Sequence, residues 1–125
     1  MNKQEIIKII KELYFSKTQY WLVTGSALVL HNIKEETKDI DLGVTKELIN
    51  ELIEKGYSYK ILPDHTRYIK YSENIEIYEN WLYDKIEYID NIPVISLQGL
   101  IEMKEKLGRD KDIEDIKLIK RNKNH

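Results

Sequence analysis

The segment "WLVTGSALVLHNIKEETKDIDLGV", Trp21 to Val44, decides how this chain is read. With Tyr20 just before it, the run "YWLVT" (20–24) is short, apolar and β-branched and is stopped by Gly25, the pattern of a buried strand. "SALVLHN" (26–32) has no breaker and follows at once, which predicts a short helix opening just after that strand. "KDIDLGV" (38–44) then reads as a second strand. Residues i and i+2 of a strand point to the same face, so Asp39 and Asp41 project side by side, about 7 Å apart at Cα. Ile40 and Leu42 point the other way, into the core.

Outward from this segment the punctuation is clear. Ile6, Ile9, Ile10 and Leu13 recur at helical spacing among charges, giving an amphipathic helix over 2–16. Thr45 is placed to N-cap "KELINELIEK", whose positions 48, 49, 52 and 53 form one apolar stripe, and Gly56 stops it. From 57 to 90 the pattern changes to short alternating runs ("YSYKIL", "RYIKY", "IEIYE", "KIEYI"); "PDHT" and "SEN" separate the first three, which predicts a small antiparallel sheet or meander. "NIPVIS" reads as a turn plus a short strand or cap. Ser96 opens a helix carrying Leu97, Leu100, Ile101 and Leu107; Gly108 interrupts it, and Ile113, Ile116 and Ile119 mark a final helix before a basic, fraying end, "KRNKNH". The order predicts an α/β (α+β) plan, a mixed sheet flanked by helices, in a single domain over 1–125 that includes the C-terminal helices at about 96–121.

Composition narrows the chemistry. A chain of 125 residues with 42% hydrophobic and 34% charged residues suits one globular core. The formal charge of -2 gives no general attraction for nucleic acid or acidic membranes. There are no cysteines, so disulfides, thiolate metal sites and cysteine nucleophiles are excluded. The charged opening "MNKQEIIKIIKELYF" is unlike a signal peptide and no apolar run reaches membrane-span length, so a cytoplasmic location is expected.

Two carboxylates held as close as Asp39 and Asp41 repel unless a cation or proton intervenes, and a hard divalent ion with oxygen ligands, Mg²⁺ above all, suits them. At Gly25-Ser26 a strand turns into a helix; a glycine there admits close approach to the backbone, and the N–H groups of a helix start favour phosphate. Together the two features suit metal-assisted phosphoryl or nucleotidyl transfer. Alone, each has a plainer reading: an exposed alternating strand, and an ordinary capped turn.

Gly25-Ser26, a gap of twelve residues and Asp39-Ile40-Asp41, within a run that also has His31 and Thr37, resembles the signature of the nucleotidyltransferase superfamily with its DNA polymerase β-like fold. The small bacterial and phage members are the most similar: antibiotic nucleotidyltransferases, AbiEii-type toxins and minimal nucleotidyltransferase antitoxins. The C-terminal "SLQGLIEMKEKLGRDKDIEDIKLI" is similar to theirs too. The resemblance implies Mg²⁺, as two ions with bound nucleotide, on Asp39, Asp41 and a third carboxylate from a later strand that also takes the acceptor proton. Glu76 in "NIEIYENW" is the best match, since its neighbours Ile75 and Ile77 face the other way. Gly25 and Ser26 would hold the nucleotide's phosphates. Lys104, with Arg109 and Lys111, is placed to reach a triphosphate, although charged faces on terminal helices are usually solvated. Asp112 and Asp115 read as helix-start or surface ion-pair residues, and the tyrosines of 57–90 as half-buried sheet residues rather than a stacking platform. His31 reads as packed or surface.

Two departures stand out: Glu35 where the family often has an arginine, and a glutamate rather than an aspartate as third acid. The implied activity is transfer of a nucleoside monophosphate from a nucleoside triphosphate, with ATP as donor, to a hydroxyl on a small molecule, a protein or an RNA end. The alternative is a weakly active or inactive antitoxin-like module of a toxin–antitoxin pair that acts by binding a protein partner. A metal-dependent phosphohydrolase is disfavoured because only three histidines exist and one is terminal.

Overall fold

The computed structural model describes residues 1–123, built on one seven-stranded mixed sheet and five helices. In chain order these are α1 (Lys3–Leu13), β1 (Tyr20–Val23), α2 (Thr24–Leu30), β2 (Ile40–Val44), α3 (Lys46–Glu54) and β3 (Lys60–Ile61). There follow β4 (Arg67–Lys70), β5 (Ile75–Glu79), β6 (Ile86–Ile89), β7 (Ile92–Ile95), α4 (Leu97–Leu107) and α5 (Asp110–Lys123). The strand order is β3-β4-β5-β2-β1-β7-β6. β1 runs antiparallel to β2 and parallel to β7, while β2 and β5 are parallel at the centre.

The expected meander is only half right. β3, β4 and β5 do form antiparallel neighbours, but β6 leaves them and pairs with β7 at the far edge. Local alternation specifies strands and a buried face, not which strand is the neighbour. Boundaries also shift. β2 begins at Ile40 rather than Lys38, and α2 begins at Thr24, so Gly25-Ser26 lies in the first turn of that helix rather than ahead of it. The last two residues of the basic end lie outside the described residues, and α5 extends through Lys123.

Helix ends follow the sequence cues. Asn2 closes a capping box with Glu5 on α1, Thr45 caps α3 through Leu48 N–H, and Ser96 caps α4 through Gly99 N–H. Gly56 and Gly108 take left-handed φ values of 103° and 62° where α3 and α4 end.

The sheet register separates core from chemistry. One rung aligns Val94, Leu22, Leu42, Ile77 and Ile69 across β7, β1, β2, β5 and β4, and every one of these side chains is fully buried. They belong to one core with Ile6, Leu28 and Ile49 of the helices. At about 25 cal/mol per Å² of apolar surface, burial of each such side chain stabilises the fold by roughly 1.5–3 kcal/mol. The alternate residues emerge on the opposite face. One rung there reads Val23, Asp41, Glu76, Lys70, and the next reads Trp21, Gly43, Tyr78, Tyr68.

Candidate active site

The acid rung is the structural centre of the site. Asp41 on β2 and Glu76 on β5 are direct partners in the parallel ladder, so their side chains leave the same face of adjacent strands. Each carboxyl group lies within the electrostatic field of the other. Burial, then the charges of Glu76 and Asp39, push the Asp41 carboxyl up to about 6 against the opposing pull of the Thr24 hydroxyl. Thr24 Oγ1 donates to Asp41 Oδ2 at 2.5 Å, while Asp41 Oδ1 is buried with no hydrogen-bond partner. A buried, unpartnered carboxylate oxygen is costly and rare in a native interior.

Asp39 stands just before β2 and is exposed, within electrostatic reach of Asp41. Among the described residues, no three histidine or carboxylate side chains are drawn together as a complete metal cage. Asp39, Asp41 and Glu76 are thus a close pair with a third acid at the rim. That donor set still fits magnesium, which is held by one or two carboxylates plus substrate phosphates rather than by an all-protein cage. The orphaned Asp41 oxygen, in a site whose like charges raise its pKa, is the group a hard cation would satisfy.

Glu76 is oriented from the side. Tyr68 on β4 donates its phenol to Glu76 Oε1 at 2.6 Å. Burial and that carboxylate push the phenol up to about 12, so Tyr68 stays a neutral donor across the physiological range. Sequence reading passed over Tyr68; the β4–β5 hairpin register, which sets it diagonally from Glu76, is the signal that places it there. Thr24 was also missed. Its φ of 51° is left-handed, an unfavourable region for a β-branched residue, and it aims the hydroxyl at Asp41.

The strand-to-helix turn does two different things. Gly25 lines the cavity beside the acids, and a Cβ there would come within 2.6 Å of Thr37 Oγ1. Ser26 is fully buried, donating its hydroxyl to Val23 O at 3.0 Å and to Asp41 O at 3.5 Å. It ties the turn to both strands. The cavity measures about 810 Å³ and is walled by the acids, by the β3–β4 turn at Pro63 and Asp64, by Tyr78, Trp81 and Tyr83, and by α4 and α5.

Lys104 lines that cavity too, yet it is not a solvated helix charge. It is buried against Asp112 and Asp115, at 3.5 and 2.9 Å, and the two aspartates also hold Arg109 and Lys34. Asp112 is fully buried and accepts from the Arg109 N–H at the start of α5, so of the two expected roles it takes the helix-start one and its ion pair is internal rather than on the surface. Burial opposes its ionisation, but hydrogen bonds from Arg109 and the charge of Lys104 overcome this and hold its carboxyl below the usual range. The network locks α5, α4 and the loop before β2 into one wall, with a small positive excess. His31 is packed, its Nε2 at 2.8 Å from Ile95 O.

No known protein family matches the sequence, and no curated protein does. Solved structures do. A candidate nucleotidyltransferase from Thermotoga maritima superposes with a TM-score of 0.63 at 17% identity, over 94% of this chain and 93% of its own. A lincosamide antibiotic adenylyltransferase, solved with lincomycin bound, superposes with a TM-score of 0.57 at 16% identity, over 93% and 92%.

Proposed function

We propose, for a chain that carries the nucleotidyltransferase fold, that it transfers a nucleoside monophosphate from a nucleoside triphosphate, ATP, to a hydroxyl acceptor with the help of a divalent cation. The observation that carries this reading is the Asp41–Glu76 pair, in register across two central strands, with one Asp41 oxygen unpartnered at the wall of a large cavity.

Asp41 and Glu76, with Asp39 from the rim, would hold Mg²⁺. What the cation supplies is charge neutralisation at the α-phosphate and the leaving oxygens. The protein's own groups do the rest. Glu76, fixed by Tyr68 through Oε1, takes the proton of the acceptor hydroxyl. The hydroxyl oxygen forms a bond to the α-phosphorus as the bond to the bridging oxygen of the β-phosphate breaks, and pyrophosphate leaves. The Gly25 backbone, kept bare of a side chain, lets the phosphates approach the turn that Ser26 braces. Lys104, held with Lys34 and Arg109, gives the same wall a positive field toward the departing pyrophosphate.

The second structural likeness is by its description an adenylyltransferase of a lincosamide antibiotic, and a small-molecule acceptor suits the size of this cavity, about 810 Å³, within the roughly 300–1,000 Å³ of ligand pockets. The test uses ATP labelled at the α-phosphate, Mg²⁺ and a cell extract. Label on an acceptor with wild type and none with Asp41→Asn supports transfer. No label, with no thermal stabilisation by Mg²⁺ and ATP, would instead favour the antitoxin-like alternative.

A further inference from the structure

The rung beside the acids is aromatic, and apart from Tyr68 the function proposed above leaves it unused. Trp21, Gly43, Tyr78 and Tyr68 align across β1, β2, β5 and β4, one strand period from Asp41 and Glu76. Gly43 is the gap in this row, and the Trp21 indole fills it: a Cβ there would meet Trp21 Nε1 at 2.1 Å and Trp81 O at 2.7 Å. Trp21 Nε1 donates to Trp81 O at 2.8 Å, pinning the chain after β5 back over the sheet. The Trp81 ring is thereby set against Tyr78, with centroids 4.6 Å apart and planes tilted by 47°. Both rings are half-buried in the cavity wall. The Tyr78 hydroxyl takes no hydrogen-bond partner among the described residues and lies in the fields of Asp41, Glu76 and Arg109.

We infer that Tyr78 and Trp81 form the shelf that seats the acceptor, and that the acceptor is a compact, ring-bearing hydroxy compound. The inference rests on the transfer reading above. Three arguments carry it. An in-line displacement puts the acceptor oxygen and the leaving pyrophosphate on opposite sides of the phosphorus. The Gly25 turn lies on the β1 side of Asp41 and Tyr78 on the β5 side, two residues beyond the proton-accepting Glu76, so the shelf lies where the acceptor must. Aromatic faces reward a ring far more than a flexible chain, because stacking costs little ordering. Finally, the shelf and the acids are separated by one strand period, about 7 Å, the reach of a single ring with a hydroxyl hydrogen-bonded to Glu76. The Tyr78 phenol, free to donate, fixes a second polar group on the same ring.

The test compares ring-bearing probes (methyl glucoside, myo-inositol and catechol) with acyclic ones (glycerol and sorbitol). Transfer of α-phosphate label from ATP is measured beside binding, read from tryptophan fluorescence in metal-free protein without nucleotide. Trp21 is buried and Trp81 half-buried, so a probe seated on the shelf changes the Trp81 signal, and that change vanishes in Trp81→Leu. The expected result is at least one ring probe labelled tenfold or more over the acyclic ones. Trp81→Leu lowers that preference about tenfold with the KM for ATP unmoved, and Trp81→Phe retains it, which separates a lost ring from a damaged fold. Equal labelling of rings and chains, or no ring probe labelled by a protein that Mg²⁺ and ATP do stabilise, overturns the inference alone. A rise in the KM for ATP in Trp81→Leu also overturns it, because the shelf would then hold the nucleobase. Absence of both label and ATP stabilisation defeats the transfer reading itself and the inference with it.

Discussion

Replacing Asp41 by asparagine is expected to make the protein more stable and inert. In the folded chain the Asp41 carboxyl is raised from 3.8 to about 6, chiefly by burial and then by its acidic neighbours. Between those two values the folded state binds more protons than the unfolded one, so the stability of the wild type falls as pH rises through that window. A shift of about two units corresponds to roughly 3 kcal/mol at 1.36 kcal/mol per unit, and partial solvent screening reduces this to about 2–3 kcal/mol. Asparagine keeps the shape, accepts from Thr24, and presents an amide to Glu76 where the orphaned oxygen stood. The variant is therefore expected to match the wild type near pH 4 and to exceed it by about 2–3 kcal/mol at pH 7.5. For a chain of 125 residues that is a gain of about 8–11 °C in Tm. Mg²⁺ with ATP at about a hundred times Kd should stabilise the wild type by about 2.7 kcal/mol and the variant by little or nothing. Thermal melts at pH 4.0, 5.5 and 7.5, with and without Mg²⁺ and ATP, make the measurement. A variant no more stable than the wild type at pH 7.5, or one with the same advantage at every pH, refutes the account of a charge-strained Asp41.

Other consequences follow from neighbouring contacts. Tyr68→Phe removes the donor that orients Glu76, so kcat should fall about ten- to a hundredfold, in line with the roughly 1.5–3 kcal/mol of a hydrogen bond to a charged group, with the KM for ATP unchanged; steady-state kinetics on the acceptor identified by labelling decide it. Gly43→Ala drives a methyl into Trp21, and should cost about 1–3 kcal/mol in urea unfolding with a shift in tryptophan emission as the Trp81 segment is released. Lys104→Met leaves Asp112 and Asp115 short of their shared cation inside the protein; a loss of about 3–5 kcal/mol by denaturant titration is expected, against under 1 kcal/mol for an exposed helix lysine such as Lys117.

The strand–turn–helix–strand segment was legible because each of its parts is local: a β-branched run, a glycine, a helix without breakers, and a two-residue alternation that puts Asp41 opposite Leu42. Alternation also singled out Glu76. The sequence could not say that β5 lies parallel to β2, because the pairing joins segments separated by α3 and two further strands and leaves no local mark. The Lys104 network was misread for a related reason. Charges spaced along α4 and α5 look the same whether they face water or each other, and only the packing of the two helices with Lys34 buries them. Thr24 was hidden by its neighbours: a left-handed conformation one residue before Gly25 is set by the tight turn into α2, where propensity alone would assign extended backbone.

The parallel pairing of β2 with β5 has a kinetic corollary. The loop it closes spans α3 and the β3–β4 hairpin, so the two carboxylates meet only after this non-local pairing has formed, although β1 with β7 joins segments still farther apart. Occupancy of the proposed cation site would therefore report the joining of β2 to β5: in refolding, ion uptake is expected only once that pairing has formed. A chain stalled with only its β3–β5 meander in place would have Glu76 on a strand edge and no Asp41 beside it.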